Sequence, residues 1–121
     1  MSTTVYECLF DKLQECGFKV YSPGVKTGEC TSPYIVIKLD GSTQHPNFSS
    51  SLVYYSVMLF IPKNQYSKLE KILDTVKKAL KELYPLIIPS GIETSSYYDD
   101  TYKAYMTSIQ YKNYRKIYRR N

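Results

Sequence analysis

Tryptophan is absent from this chain, histidine occurs once and cysteine three times. Each shortage removes a class of function. With His45 as the single histidine, a Cys/His zinc site is not expected. Cys8, Cys16 and Cys30 include no CxxC pair. Cys8 and Cys16 fall on one predicted helix, ~12 Å apart in rise, whereas a disulfide needs Cα atoms within about 7 Å. The three are read as reduced cysteines serving as small hydrophobes. The five glycines form neither a GxGxxG nor a Walker pattern. No stretch approaches the ~20 consecutive apolar residues of a membrane span, so no membrane association is expected. The opening MSTTVYECLFDKL has no basic leader and sets acids inside its apolar pattern. A secretory signal is therefore not expected, and the protein is expected to work in a cytoplasm or in something assembled there.

Catalytic groups are equally sparse. A nucleophilic triad needs a base beside its nucleophile, and His45 stands in a flexible Gln-His-Pro context. The pair Asp99-Asp100 suits a tight turn, where aspartate bonds its own backbone, better than a metal site. No enzyme, no cofactor and no metal is expected.

What remains is a chain of 121 residues with an apolar share of 43%, enough for one domain over 1–121 and one core. Its net charge of +5 is uneven. Residues 1–61 hold four lysines and five acids, whereas residues 62–121 hold twelve basic residues and six acids. The excess lies in the second predicted helix and in a basic tail from about 115, with Lys112, Arg115, Lys116, Arg119 and Arg120 in or beside it. A basic half points to an acidic partner, either nucleic acid or an acidic protein surface.

The run Ser51–Pro62 (SLVYYSVMLFIP) is uncharged, rich in β-branched and aromatic residues, and stops at a proline. A strand this apolar needs cover on both faces. One face is expected to pack on the chain's own helices, and the other, with Tyr54, Ser56 and Met58, to meet a second protein. Before it, Val5, Cys8, Leu9, Leu13 and Cys16 mark an amphipathic helix capped by Ser2 or Thr3 and ended by Gly17. Strands follow at Phe18–Tyr21 and Tyr34–Leu39, then a long turn-rich stretch, GSTQHPNFSS, over 41–50. Loops of that length tend to be disordered or to touch a partner. After the long strand, a helix is expected from Gln65 to about Tyr84 on the stripe Leu69, Ile72, Leu73, Val76, Leu80 and Leu83, stopped by Pro85. Strands Ile92–Tyr98 and Lys103–Tyr114 close the chain around an Asp99–Tyr102 hairpin turn. The expectation is an α+β fold of order αβββαββ, a mostly antiparallel sheet of about five strands with two helices on one face.

Fourteen tyrosines suit surfaces that are wet before binding and dry after it. Tyr54, Tyr55, Tyr105 and Tyr111 fit half-buried strand positions as readily as an interface. Tyr97, Tyr98 and Tyr102 crowd the end of a hairpin, where an intermolecular contact is expected. The tail KNYRKIYRRN is a candidate phosphate contact or a solubilising terminus. A small nucleic-acid-binding module that uses the tyrosine-rich sheet and Arg115, Arg119 and Arg120 is the alternative reading. The element order and the missing K/R-G-F/Y-G/A-F pattern argue against an RNA-recognition sheet.

The long strand SLVYYSVMLFIPK runs into a helix ending ALKELYPL, and the chain closes with ETSSYYDDTYKAYMTSIQYKNYRKI. With an early amphipathic helix, the strand PYIVIK and a long loop before the third strand, residues 3–117 resemble the tail-terminator (tail-completion) proteins of long-tailed bacteriophages and related contractile particles. The resemblance implies a virion protein of the tail neck, assembled in a bacterial cytoplasm. It would form a ring, expected to be hexameric, that caps the head-proximal end of the tail tube. It would end tube polymerisation, dock the head-side connector and, in a contractile tail, meet the sheath. DNA would pass through without specific binding. Expected contact residues are His45, Asn47 and Phe48 in the long loop and Tyr97, Tyr98 and Tyr102 in the hairpin. A lumen that gripped DNA would impede its passage, so the basic face with Lys77 and Lys81 is expected outside, towards connector or sheath.

Overall fold

A computed structural model of the chain describes residues 4–44 and 50–116, with side chains over 4–42 and 52–113. Helix α1, Val5–Glu15, starts at a cap one residue later than the sequence suggests. Thr4 Oγ1 accepts from the Glu7 backbone N–H while Glu7 Oε1 accepts from the Thr4 N–H, both at 3.1 Å. This reciprocal capping box needs an acid or amide three residues on, which Thr4 has in Glu7. The helix ends before Gly17, whose φ of 92° only glycine adopts without strain.

Strands β1 (Val20–Tyr21), β2 (Tyr34–Gln44) and β3 (Ser50–Pro62) follow. A 3-10 turn over Lys63–Lys68 then leads into helix α2, Leu69–Lys81, so the α-helix begins later and ends earlier than the stripe implies. The sequence then forms β4 (Ile88–Glu93), β5 (Tyr97–Asp99) and β6 (Ala104–Lys116). The expected strand Ile92–Tyr98 is thus two short strands, both paired with β6. Part of the stretch read as a loop is also strand, since β2 runs on to Gln44 and β3 opens at Ser50.

The sheet order is β1-β2-β3-β6-β4, with β5 also on β6. Only β1–β2 is parallel. Period-two alternation sorts the side chains. Ile35, Ile37, Val53, Tyr55, Val57, Leu59, Ile61, Ile109 and Tyr111 join Leu9, Leu13, Val76, Ala79 and Leu80 from the helices in one core. The α+β class and the order αβββαββ follow the sequence reading, with both helices on one face. Each fully buried Leu or Ile contributes roughly 1.5–3 kcal/mol, and Leu9, Leu13, Ile35, Ile37, Leu59, Ile61 and Leu80 are all under 2% exposed.

The opposite face is covered at one end by the chain itself. The segment after β1 crosses beneath the strand ends, and the Cys30 N–H donates to the Tyr102 carbonyl at 2.8 Å. Cys30, Tyr34, Val36, Phe60 and Ala104 form a second, smaller cluster there. Tyr34 and Phe60 stack with ring centres 4.7 Å apart. Further along, Tyr54, Ser56 and Met58 are half-buried.

Candidate functional site

The informative region is the flank where the sheet ends. Strand β4 departs from simple pairing: Pro89 faces Tyr111 and Glu93 faces Ile109, so Ser90, Gly91 and Ile92 bulge out between them. Gly91 has φ of 93°, the left-handed conformation that lets the chain fold back within the bulge. The bulge has its own polar anchor, because Ser90 Oγ donates to Gln110 Oε1 at 2.9 Å and accepts from the Ile92 N–H. Gln110 Nε2 in turn donates to Asp40 Oδ2 at 3.1 Å, and Ser56 donates to the same carboxylate. A polar row therefore crosses the open face from β2 to β4.

The helix side of this flank carries a depression beside α2. Between α2 and β4 lies a groove of about 670 Å³, floored by Leu80, Ile87, Ile109 and Tyr111 and walled by Tyr84, Ile88 and Pro89. Lys77, Lys81 and Glu93 stand around it. Lys77 Nζ meets Glu93 Oε1 at 2.8 Å and ties α2 to β4. Among the described residues Lys81 has no ion-pair partner. Tyr84 is 66% exposed and Ile92 58%, high values for large apolar side chains. Burial, and secondarily the Glu93 carboxylate, push the Tyr111 hydroxyl up to about 12. That phenol stays neutral and serves as floor.

Further along the same flank, Tyr66, Tyr98 and Tyr105 cluster. Tyr66 and Tyr105 have ring centres 4.3 Å apart, and Tyr98 meets Tyr105 edge-on at 5.3 Å. Tyr66 also exchanges a hydrogen bond with Ser96 Oγ at 3.2 Å.

The expected contact residues separate in space. Tyr97 and Tyr98 remain at the surface on β5, and Tyr97 donates to Met106 Sδ. Tyr102 turns inward against Phe60, ring centres 5.6 Å apart, and joins the second cluster. Asp99 Oδ1 accepts from the Thr101 and Tyr102 backbone N–H groups, the turn role expected of it. Lys77 and Lys81 border the groove, Lys77 half-buried and Lys81 exposed. Arg115 lies opposite Ser51 at the far end of β6. His45, Asn47, Phe48, Arg119 and Arg120 fall outside the described residues.

The groove itself was not foreseen. Its walls, Tyr84, Ile88 and Pro89, lie at and beyond the expected helix end. The signal available in sequence was the apolar run Leu86-Ile87-Ile88 placed after a helix-stopping proline. Among the described residues no group of three His, Cys, Asp or Glu side chains is placed to hold a metal ion. Among the same residues no helix is long and apolar enough to cross a membrane. No protein-family model matches the chain, and no curated protein matches it.

Proposed function

We propose that this chain is a structural ring protein of a long-tailed phage or a related contractile particle, acting as the tail terminator. A ring of copies, hexameric in this reading, caps the head-proximal end of the tail tube. It ends tube polymerisation and docks the head-side connector, with the sheath as a further neighbour where the tail contracts. The mechanism is geometric. One ring face complements the tube end and the other does not repeat it, so growth stops.

The observation that carries this reading is the apolar, tyrosine-bearing flank from Tyr84 along β4 to Tyr98, which includes four of the exposed large hydrophobic residues: Tyr84, Ile92, Tyr97 and Tyr98. Isolated exposed hydrophobics are ordinary, but several along one sheet edge, with Tyr98 and Tyr97 on its two faces, support an interaction surface. An exposed sheet edge would also recruit further strands. Here the bulge at Ser90–Ile92 interrupts the edge and disfavours open-ended pairing, as a closed assembly requires. The element order supports the same reading through the resemblance of residues 3–117 to tail terminators.

The test is mass in solution by light scattering, with cognate tail tubes added and withheld. Rings, or binding confined to tube ends, are expected. A monomer that ignores tubes but binds DNA in low salt would overturn the proposal and favour the nucleic-acid-binding alternative.

A further inference from the structure

The groove beside α2 lies at one end of the sheet, and α1 lies at the other. Helix α1 packs over β1 and β2, whereas the groove lies between α2 and β4 with part of its floor on β6. With strands ~4.8 Å apart, the outer strands β1 and β4, between which the sheet has four intervals, stand on the order of 19 Å from each other. They are different surfaces, and they differ in charge.

Leu9 and Leu13 turn α1 into the core, and Lys12 Nζ is drawn to Glu82 Oε1 at 2.7 Å, on the side facing α2. That pair removes the helix's basic charge from its outer side. What faces away from α2 is Glu7, Asp11 and Gln14, all exposed, beside half-buried Tyr6 and Phe10. Tyr6 is hydrogen-bonded to Ser22 Oγ at 2.6 Å, just after β1, which places this pair of aromatics at the β1 edge. Among the described residues Asp11 has no ion-pair partner, as Lys81 has none at the groove. One flank is therefore acidic with an aromatic residue at its centre. The other is an apolar groove whose rim carries the unpaired Lys81 beside the Lys77–Glu93 pair.

We propose that the groove between α2 and β4 receives the α1 flank of a second copy of this chain, Phe10 against Tyr84 and Ile88 and Asp11 opposite Lys81. The inference rests on the ring reading and supplies its subunit contact. Because the two surfaces are unlike and lie on opposite flanks, the contact is head-to-tail. Repeated through every copy, it closes into a ring if the rotation per subunit allows. Complementary charge at the margin sets register and suppresses wrong pairings, while the apolar groove supplies the buried area. On this arrangement Lys81 meets the neighbouring subunit rather than sheath or connector.

The experiment is sedimentation velocity over a range of concentrations for the wild-type chain, Asp11→Lys, Lys81→Glu, and an equimolar mixture of the two variants. Lys81 is preferred to Lys77, whose reversal would set a carboxylate against Glu93 within the same chain. Both altered residues are exposed, and unchanged circular dichroism and melting show that the variants fold. Each variant alone should weaken self-association by about tenfold or more, the lower range for close charge pairs across an interface. The mixture should recover it, since every contact then joins either the original pair or its reversed equivalent. Lys38→Glu, an exposed lysine outside both flanks, is the control expected to associate normally. Single variants that assemble like wild type, or single losses without recovery in the mixture, overturn the pairing while leaving the ring reading in place. A wild-type chain that stays monomeric at every concentration, with cognate tail tubes present or absent, overturns both.

Discussion

Tyr34 and Tyr111 are 2% and 3% exposed, and desolvation raises both hydroxyls from the ordinary 10 to about 12. Cys30 adds to the effect at Tyr34, and Glu93 at Tyr111. The consequence for stability has a definite sign. Below pH 10 both states hold the proton and nothing is lost. Between 10 and 12 the unfolded chain has released it while the folded chain retains it, so folding grows less favourable as pH rises, by up to roughly 1.4 kcal/mol per pH unit for each group. A spectrophotometric titration should show Tyr34 and Tyr111 ionising late, together with a fall in denaturation midpoint over the same window. Phe at position 111 should abolish one late step. Loss of neither step on substitution would mean that the floor of the groove is wet.

Among the elements, α1 has the clearest local logic. Its two inward leucines come from the stripe read in sequence, but the cap does not. Ser2 and Thr3 were the expected caps, and Thr4 takes the role because only Thr4 stands three residues before Glu7. Thr4→Ala should cost about 1 kcal/mol of stability, read as a lower urea midpoint at unchanged slope. An unchanged midpoint would show that packing of Leu9 and Leu13 alone holds the helix. Strand β3 was legible almost to the residue, since an uncharged run of β-branched and aromatic residues that stops at a proline has few other solutions. Strands β4 and β5 were not. Their pairing with β6 is interrupted at Ser90–Ile92, and a bulge is a choice made against a partner strand.

For the molecule as a whole, the competing readings divide over the basic tail. If the chain acts as a ring, replacing Arg115, Arg119 and Arg120 by Ala should leave self-association and tube-end binding unchanged. If it is a nucleic-acid module, the same triple change should flatten the salt dependence of DNA retention by about 0.7–0.9 in log–log slope per lost phosphate contact. Gel-shift titrations at several salt concentrations, run beside light scattering, separate the two.

Sequence alone determined the α+β class, the element order, the two helical stripes and the long third strand, because periodicity and turn residues act locally. It also revealed that charge and tyrosine are concentrated towards the second half. Tertiary structure alone decided that Tyr102 turns inward while Tyr97 and Tyr98 stay out, and that Lys77 is neutralised by Glu93. It decided too that a groove opens between α2 and β4, at the opposite flank from the acidic side of α1. Those facts depend on which strands become neighbours and where a helix of 13 residues lies on a sheet. No local pattern encodes either one.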